Sequence, residues 1–290
     1  MQPTSTLVSV RGLDLNLTTW EPPPDVEASG LTILFLHGFA DSAASFDLVL
    51  PLLARAGHRV IAPDLRGFGD SAWLGAGGYY HFPDYLADVV DLLRQLAPER
   101  LAVVAHSMGG TIAVQLAGVG VVPIEKLVLM EGLGPPAHPL ELTPERFRRW
   151  LDDLATHRAR PEHRSFSSLD EVVERLRATH TNVPVEILKT RAPLLVKQRE
   201  DGRYVWKFDP LHRTVGPTPF LIEAFMAFLR RISCPTLVIH GGATGFHPED
   251  EQARIEAIRD VRVIDIPDAG HMMHWTRPEE VSRAILDFLD

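Results

Sequence analysis

Ser107 lies in VVAHSMGGTIAVQ, where an apolar, β-branched run gives way to a helical pattern and two glycines follow Met108. A sharp strand-to-helix turn of this kind lifts a serine Oγ clear of the backbone, and small neighbours let the chain pass without a clash; the usual spelling is G-x-S-x-G. Ala105 stands in place of the first glycine and is small enough for such a turn, while Gly109 keeps the second. Small-residue turns also cradle phosphate or simply pack, so the serine alone decides nothing. His37-Gly38-Phe39 follows an earlier apolar run. If the two turns meet, the backbone N–H groups of Phe39 and Met108 could together hold an oxyanion.

Thirteen histidines could supply a base. His106 adjoins the serine, and successive side chains at a strand end point to opposite faces, which sets it aside. His37 reads as a hydrogen-bonder that shapes the oxyanion loop. His271 and His274, in AGHMMHW, are three residues apart with no third ligand in view, so no metal is expected there. The single cysteine, Cys234, excludes an internal disulfide framework and reads as a buried structural thiol.

The elements that must position these residues follow a regular rhythm. TLVSV and LDLNLTTW flank Arg11-Gly12 as an opening β-hairpin. ILFLHG, RVIAPD, LAVVAHS and KLVLMEG then recur as short continuous apolar runs, the signature of strands buried on both faces of a parallel sheet. FPDYLADVVDLLRQLAP and MGGTIAVQLAG read as helices between them, and PTLVIHG and VRVIDIP resume the strands after a long gap, with helical stretches near 249–259 and 278–289. The pattern predicts a doubly wound α/β sheet. The gap carries helical patches such as PERFRRWLDDLATHR, so the expected division is a core of residues 1–132 and 230–290 with a mainly helical cap, 133–229, inserted after the sixth strand.

Taken with PDLRGFGDS (63–71) and AGHMMHW, the set HGFADSAASFD, AHSMGG and EGLGPP resembles the α/β-hydrolase superfamily over nearly the full chain, and is most similar to its serine hydrolase-like members. The resemblance implies a nucleophile, acid and histidine in that chain order, with Ser107 as nucleophile and His271 as base. It also implies an acid after the seventh sheet strand, in G-x-x-D-x-x-x-P. In LVIHGGATGFHPED, Gly241 and Pro248 keep that spacing, but Thr244 holds the acid position. Glu249 and Asp250 lie after the proline, where a helix begins and an acidic residue has an ordinary dipole explanation. Some α/β-hydrolases place the acid one strand earlier, and here the sixth strand ends in LVLMEG, which offers Glu131.

The expectation is therefore a cofactor-free serine hydrolase acting on a carboxylic ester or related acyl bond of a small molecule, with Ser107, His271 and Glu131 as its triad. The same fold and triad can cleave carbon–carbon bonds or lactones, and an idle module binding a small ligand is the third reading. Serine at 107 weighs against a dehalogenase or epoxide hydrolase of this fold, which would use aspartate. Trp150, Trp206, Phe208 and His212 are the cap residues expected to face the substrate. A net charge of −9 argues against nucleic-acid binding, although residues 144–213 carry 15 Lys and Arg against 11 Asp and Glu. No run is long enough for a membrane span and the N-terminal residues lack a signal-peptide pattern, so a cytoplasmic protein is expected.

Overall fold

The computed structural model describes residues 2–290. Strands β1 (Thr4–Val10) and β2 (Leu13–Trp20) form an antiparallel hairpin, turning at Arg11 and Gly12, whose φ values are both positive. The chain continues through β3 (Leu31–Leu36), α1 (Leu50–Arg55), β4 (Arg59–Pro63), α2 (Phe82–Leu96), β5 (Arg100–His106), α3 (Met108–Val119) and β6 (Lys126–Met130). After β6 come α4 (Thr143–Ala159), α5 (Leu169–Thr179), α6 (Val185–Leu195), the short strands β7 (Val196–Gln198) and β8 (Tyr204–Trp206), and α7 (Ile222–Leu229). The main sheet resumes with β9 (Thr236–His240), followed by α8 (Glu251–Glu256), β10 (Val261–Asp265), α9 (Met273–Thr276) and α10 (Pro278–Leu289).

Eight strands form one sheet in the order β1-β2-β4-β3-β5-β6-β9-β10, parallel from β4 to β10, with antiparallel pairing within the opening hairpin and between β2 and β4. Alternate residues of the central strands feed opposite cores. Leu34, Val103, Leu127 and Val238 pack on one face with α2, α3 and α7, whereas Ile33, Val104, Val128 and Leu237 pack on the other with α1 and α10. Burial on both faces explains why these strands are spelled as unbroken apolar runs. After β4 the chain crosses back to lay β5 on the other side of β3, so the strand order reverses between β3 and β5. Crevices beyond the carboxyl ends of strands at such a reversal are where open α/β sheets bind ligands, and Gly38 and Ser107 lie just there.

The segment between β6 and β9 is mostly helical, with one antiparallel ribbon, β7 with β8. It builds its own apolar cluster from Phe166, Val172, Leu176, Leu188 and Trp206, which rests on Met272 and Trp275 of the main body.

Candidate active site

Ser107 has φ 52° and ψ −116°, a conformation that costs energy for a residue with a side chain and is held by its surroundings. Its N–H donates to the Met130 carbonyl at 3.0 Å, pinning the turn to β6. Crowding explains the small residues: a Cβ on Gly109 would lie 2.5 Å from the Leu36 carbonyl oxygen, and one on Gly110 would lie 2.4 Å from Gly132 Cα. Gly38 brings the β3 turn against the serine, since a Cβ there would be 3.2 Å from Ser107 Cβ. The two turns of the sequence thus meet. Met108 opens α3, so its N–H has no acceptor within the helix, and among the described residues neither it nor the N–H of Phe39 makes a hydrogen bond.

His271 reaches the serine from the loop after β10, with Nε2 3.1 Å from Ser107 Oγ. That loop is fastened from two sides. The Gly270 N–H donates to the Gly241 carbonyl at 2.8 Å, and His106 Nε2–H donates to the His271 carbonyl at 2.8 Å. His106 is buried, and desolvation together with the neighbouring His274 and His271 pushes its pKa well below that of an ordinary imidazole. It therefore stays neutral and keeps the single proton that the bond to His271 requires. Nothing in the spelling of AHSMGG signals this support role, because the partner is a main-chain carbonyl 165 residues away.

Glu131 directly follows β6 with φ 51°, and its side chain is fully buried. The left-handed backbone turns the carboxylate sideways, across the tip of β9. There Oε1 accepts the Gly241 N–H at 2.5 Å and Oε2 accepts the Phe246 N–H. Oε2 also lies 3.6 Å from His271 Nδ1, an ion-pair distance rather than a hydrogen bond. Gly245 makes room for the carboxylate, since a Cβ there would sit 2.4 Å from Oε1. Thr244 lies in the same loop, in a short 3-10 turn. Asp250 pairs with the fully buried Arg254 at 2.7 Å, and Arg254 in turn donates to the carbonyls of Leu133, Gly134 and Pro135.

His37 accepts the Leu65 N–H at Nε2 (2.9 Å) and donates from Nδ1 to the Gly38 carbonyl (2.7 Å), holding the β3 turn. His274 faces Asp41 at 3.4 Å and Ser45 at 3.2 Å, and Asp41, His274 and His106 form one buried group. His271 and His274 do not share a ligand position.

Ser107 and His271 open onto a cavity of about 1070 Å³ between the sheet edge and the β6–β9 segment. Trp206, Phe208 and His212 line it, as does Phe39. His212 stacks on Phe68 at 4.1 Å, and burial pushes its pKa down to about 3. Trp150 does not line the cavity: it stands edge-on to Tyr79 at 5.7 Å, near Phe147. Met108 and Phe39 border a second hollow of about 230 Å³. Arg164, Arg175 and Arg213 also line the main cavity, together with Glu171 and Glu174, and in the sequence these arginines show only as excess positive charge in the segment.

Known proteins resemble this chain in sequence and fold. The family model described as alpha/beta hydrolase fold matches residues 32–278. A serine hydrolase-like protein of Dictyostelium discoideum is 24% identical, the alignment covering 96% of this chain and 79% of that protein. An esterase of Mycobacterium tuberculosis is 27% identical over 88% of this chain and 82% of its own length. Among solved structures, a thioesterase domain from the curacin biosynthetic pathway superposes with a TM-score of 0.84 at 25% identity, covering 99% of this chain and 100% of that one.

Proposed function

Since the chain belongs to the α/β-hydrolase family, at the level of its serine hydrolase and esterase-type members, we propose that it hydrolyses a carboxylic ester or thioester through Ser107, His271 and Glu131. One observation carries the reading: a strained elbow serine lies 3.1 Å from His271 Nε2, while a fully buried carboxylate stands 3.6 Å behind the same ring. In this scheme Ser107 Oγ attacks the acyl carbonyl as its proton passes to His271 Nε2, and the N–H groups of Phe39 and Met108 receive the oxyanion. The imidazolium then returns the proton to the leaving alcohol or thiol, and water repeats the sequence to release the acid. Glu131 opposes the imidazolium charge and keeps the Nδ1 proton in place. The 3.6 Å gap is of the kind that tightens on charging, as catalytic contacts often do once substrate is bound.

The cavity supports a substrate with an apolar part against Trp206 and Phe208 and an anionic group near Arg213, whose guanidinium pKa is lowered by burial and by Arg175. Residues 133–229 act as the cap that shapes this pocket. The names of the relatives, an esterase and a thioesterase domain, fit the same bond class.

Labelling by a fluorophosphonate tests the reading. Wild-type protein is expected to take up the label and to turn over a short p-nitrophenyl ester. Ser107→Ala should lose both and keep its thermal midpoint, because an elbow serine contributes chemistry rather than packing. Labelling that survives in Ser107→Ala would remove Ser107 from the nucleophile role.

A further inference from the structure

A second cluster of ligating side chains joins the end of β9 to the start of α8, away from the serine. His240 Nε2 lies 3.2 Å from one oxygen of Glu251, and His247 Nδ1 lies 2.8 Å from the other. One donor atom from each residue falls within 4.8 Å of the other two. The far nitrogen of each ring already faces an acceptor: His247 Nε2–H donates to the Gly242 carbonyl at 2.9 Å, and His240 Nδ1 lies 3.6 Å from Asp265 Oδ1. A carbonyl or carboxylate on one imidazole nitrogen fixes the tautomer and turns the other nitrogen's lone pair outward, the usual support of a metal-bound histidine. With His247 Nε2–H given to Gly242, the Nδ1 lone pair of His247 faces one oxygen of the carboxylate, and His240 Nε2 faces the other. Acceptors facing acceptors repel unless a cation stands between them, and His240 Nε2 is buried without a hydrogen-bond partner.

We propose that His240, His247 and Glu251 form a three-ligand site for a divalent transition ion of the Zn²⁺ class, with its fourth position open to solvent. Two imidazole nitrogens and a carboxylate suit Zn²⁺, Co²⁺, Ni²⁺ or Cu²⁺ and not Ca²⁺ or Mg²⁺, which prefer oxygen. Entry is open, since the His247 side chain is about one-third exposed.

The site has a consequence for the loop it closes. An ion held by His240 and Glu251 ties the end of β9 to the start of α8, and the loop between them carries the Gly241 and Phe246 N–H groups that hold Glu131. The ion would clasp the cradle of the carboxylate without touching substrate. Only the link to catalysis rests on the role proposed for Glu131; the site itself does not.

Zn²⁺ titration of the chelator-treated full-length protein by calorimetry, near neutral pH, provides the test. Wild type should bind one Zn²⁺ per chain, and His247→Ala and Glu251→Gln should each weaken binding by more than about tenfold, the scale on which even outer-shell losses act. Hydrogen exchange at the Gly241 and Phe246 amides should slow severalfold on Zn²⁺ addition in wild type and not in His247→Ala. Thermal midpoints without metal establish that the variants fold, and none of these readouts depends on hydrolysis. Failure of wild type to bind Zn²⁺, equal binding by folded His247→Ala, or amide exchange unchanged by bound Zn²⁺ would each overturn the proposal.

Discussion

Glu131 stands with φ 51°, outside the range a strand residue adopts, and every polar atom of its carboxylate is engaged: by Gly241, by Phe246 and by the approach to His271. The two backbone N–H groups fix where this carboxylate stands behind the imidazole. Thr244, where the family pattern has its acid, lies in the loop that wraps this carboxylate. Thr244→Ala, Glu249→Gln and Asp250→Asn are therefore expected to keep kcat within about tenfold of wild type. Asp250→Asn should nevertheless lower the thermal midpoint, because it weakens the pairing of a fully buried guanidinium; steady-state rates and melting curves of the same preparations check both points. At this scale the sequence was partly legible. Ser107 and His271 stand out by motif and Glu131 by the vacancy at position 244. The amides of Gly241 and Phe246 and the carbonyl held by His106 leave no trace in side-chain identity, since main-chain groups are common to every residue.

The strands and the helices flanking them explain how the site is assembled. Continuous apolar runs marked β3 to β6 and β9 to within a few residues, because burial on both faces leaves no polar alternation to confuse them, whereas β10, an edge strand with no fully buried residue, is marked by the alternation of VRVID. The ribbon of β7 and β8 was not legible: its strands have three residues each, too short for a period to register, and the segment around them reads as helix. Helix α1, six residues with a proline in its first turn, was equally inconspicuous. Backbone contact between α3 and the tip of β6 sets the elbow against Glu131. Gly110→Ala forces a methyl group against the Gly132 backbone and is expected to destabilise the protein by about 1–3 kcal/mol in urea unfolding. Gly245→Ala presses instead on the Glu131 side chain, so kcat should fall while KM and the unfolding midpoint change little. A Gly245→Ala enzyme with an unchanged kcat would show that the carboxylate's position is immaterial.

Across the whole molecule, no described helix is long and apolar enough to cross a membrane, and three arginines of residues 144–213 line the cavity with Trp206 and Phe208, alongside Glu171 and Glu174. Arg213→Gln is expected to raise KM severalfold for an ester carrying a carboxylate and to leave a neutral ester unaffected; equal effects on both would place Arg213 outside the binding step. Burial keeps several histidines neutral, with pKa values pushed to about 3 for His212 and about 4 for His163, and lowered for His106 and His274. Between those values and the unfolded imidazole value of about 6.5, the unfolded chain binds more protons than the native one, so stability rises with pH. The contribution is complete above that unfolded value and is lost progressively as pH falls towards about 4 for His163 and about 3 for His212. Urea midpoints measured from neutral to mildly acidic pH should decline accordingly, and His163→Gln, which keeps a donor for the Phe208 carbonyl, should make the decline shallower. A midpoint that rose on acidification would contradict the neutral, buried histidines.

The turnover number of Glu131→Gln tests the central claim most directly. Glutamine preserves the shape of the side chain but removes the charge that opposes the imidazolium, and the equivalent change in an aspartate-containing triad costs about 10⁴ in kcat. A loss of that order is expected for a p-nitrophenyl ester, with Glu249→Gln and Asp250→Asn remaining active beside it. A Glu131→Gln enzyme turning over near the wild-type rate, while Glu249→Gln or Asp250→Asn is dead, would place the acid after β9 and contradict the account.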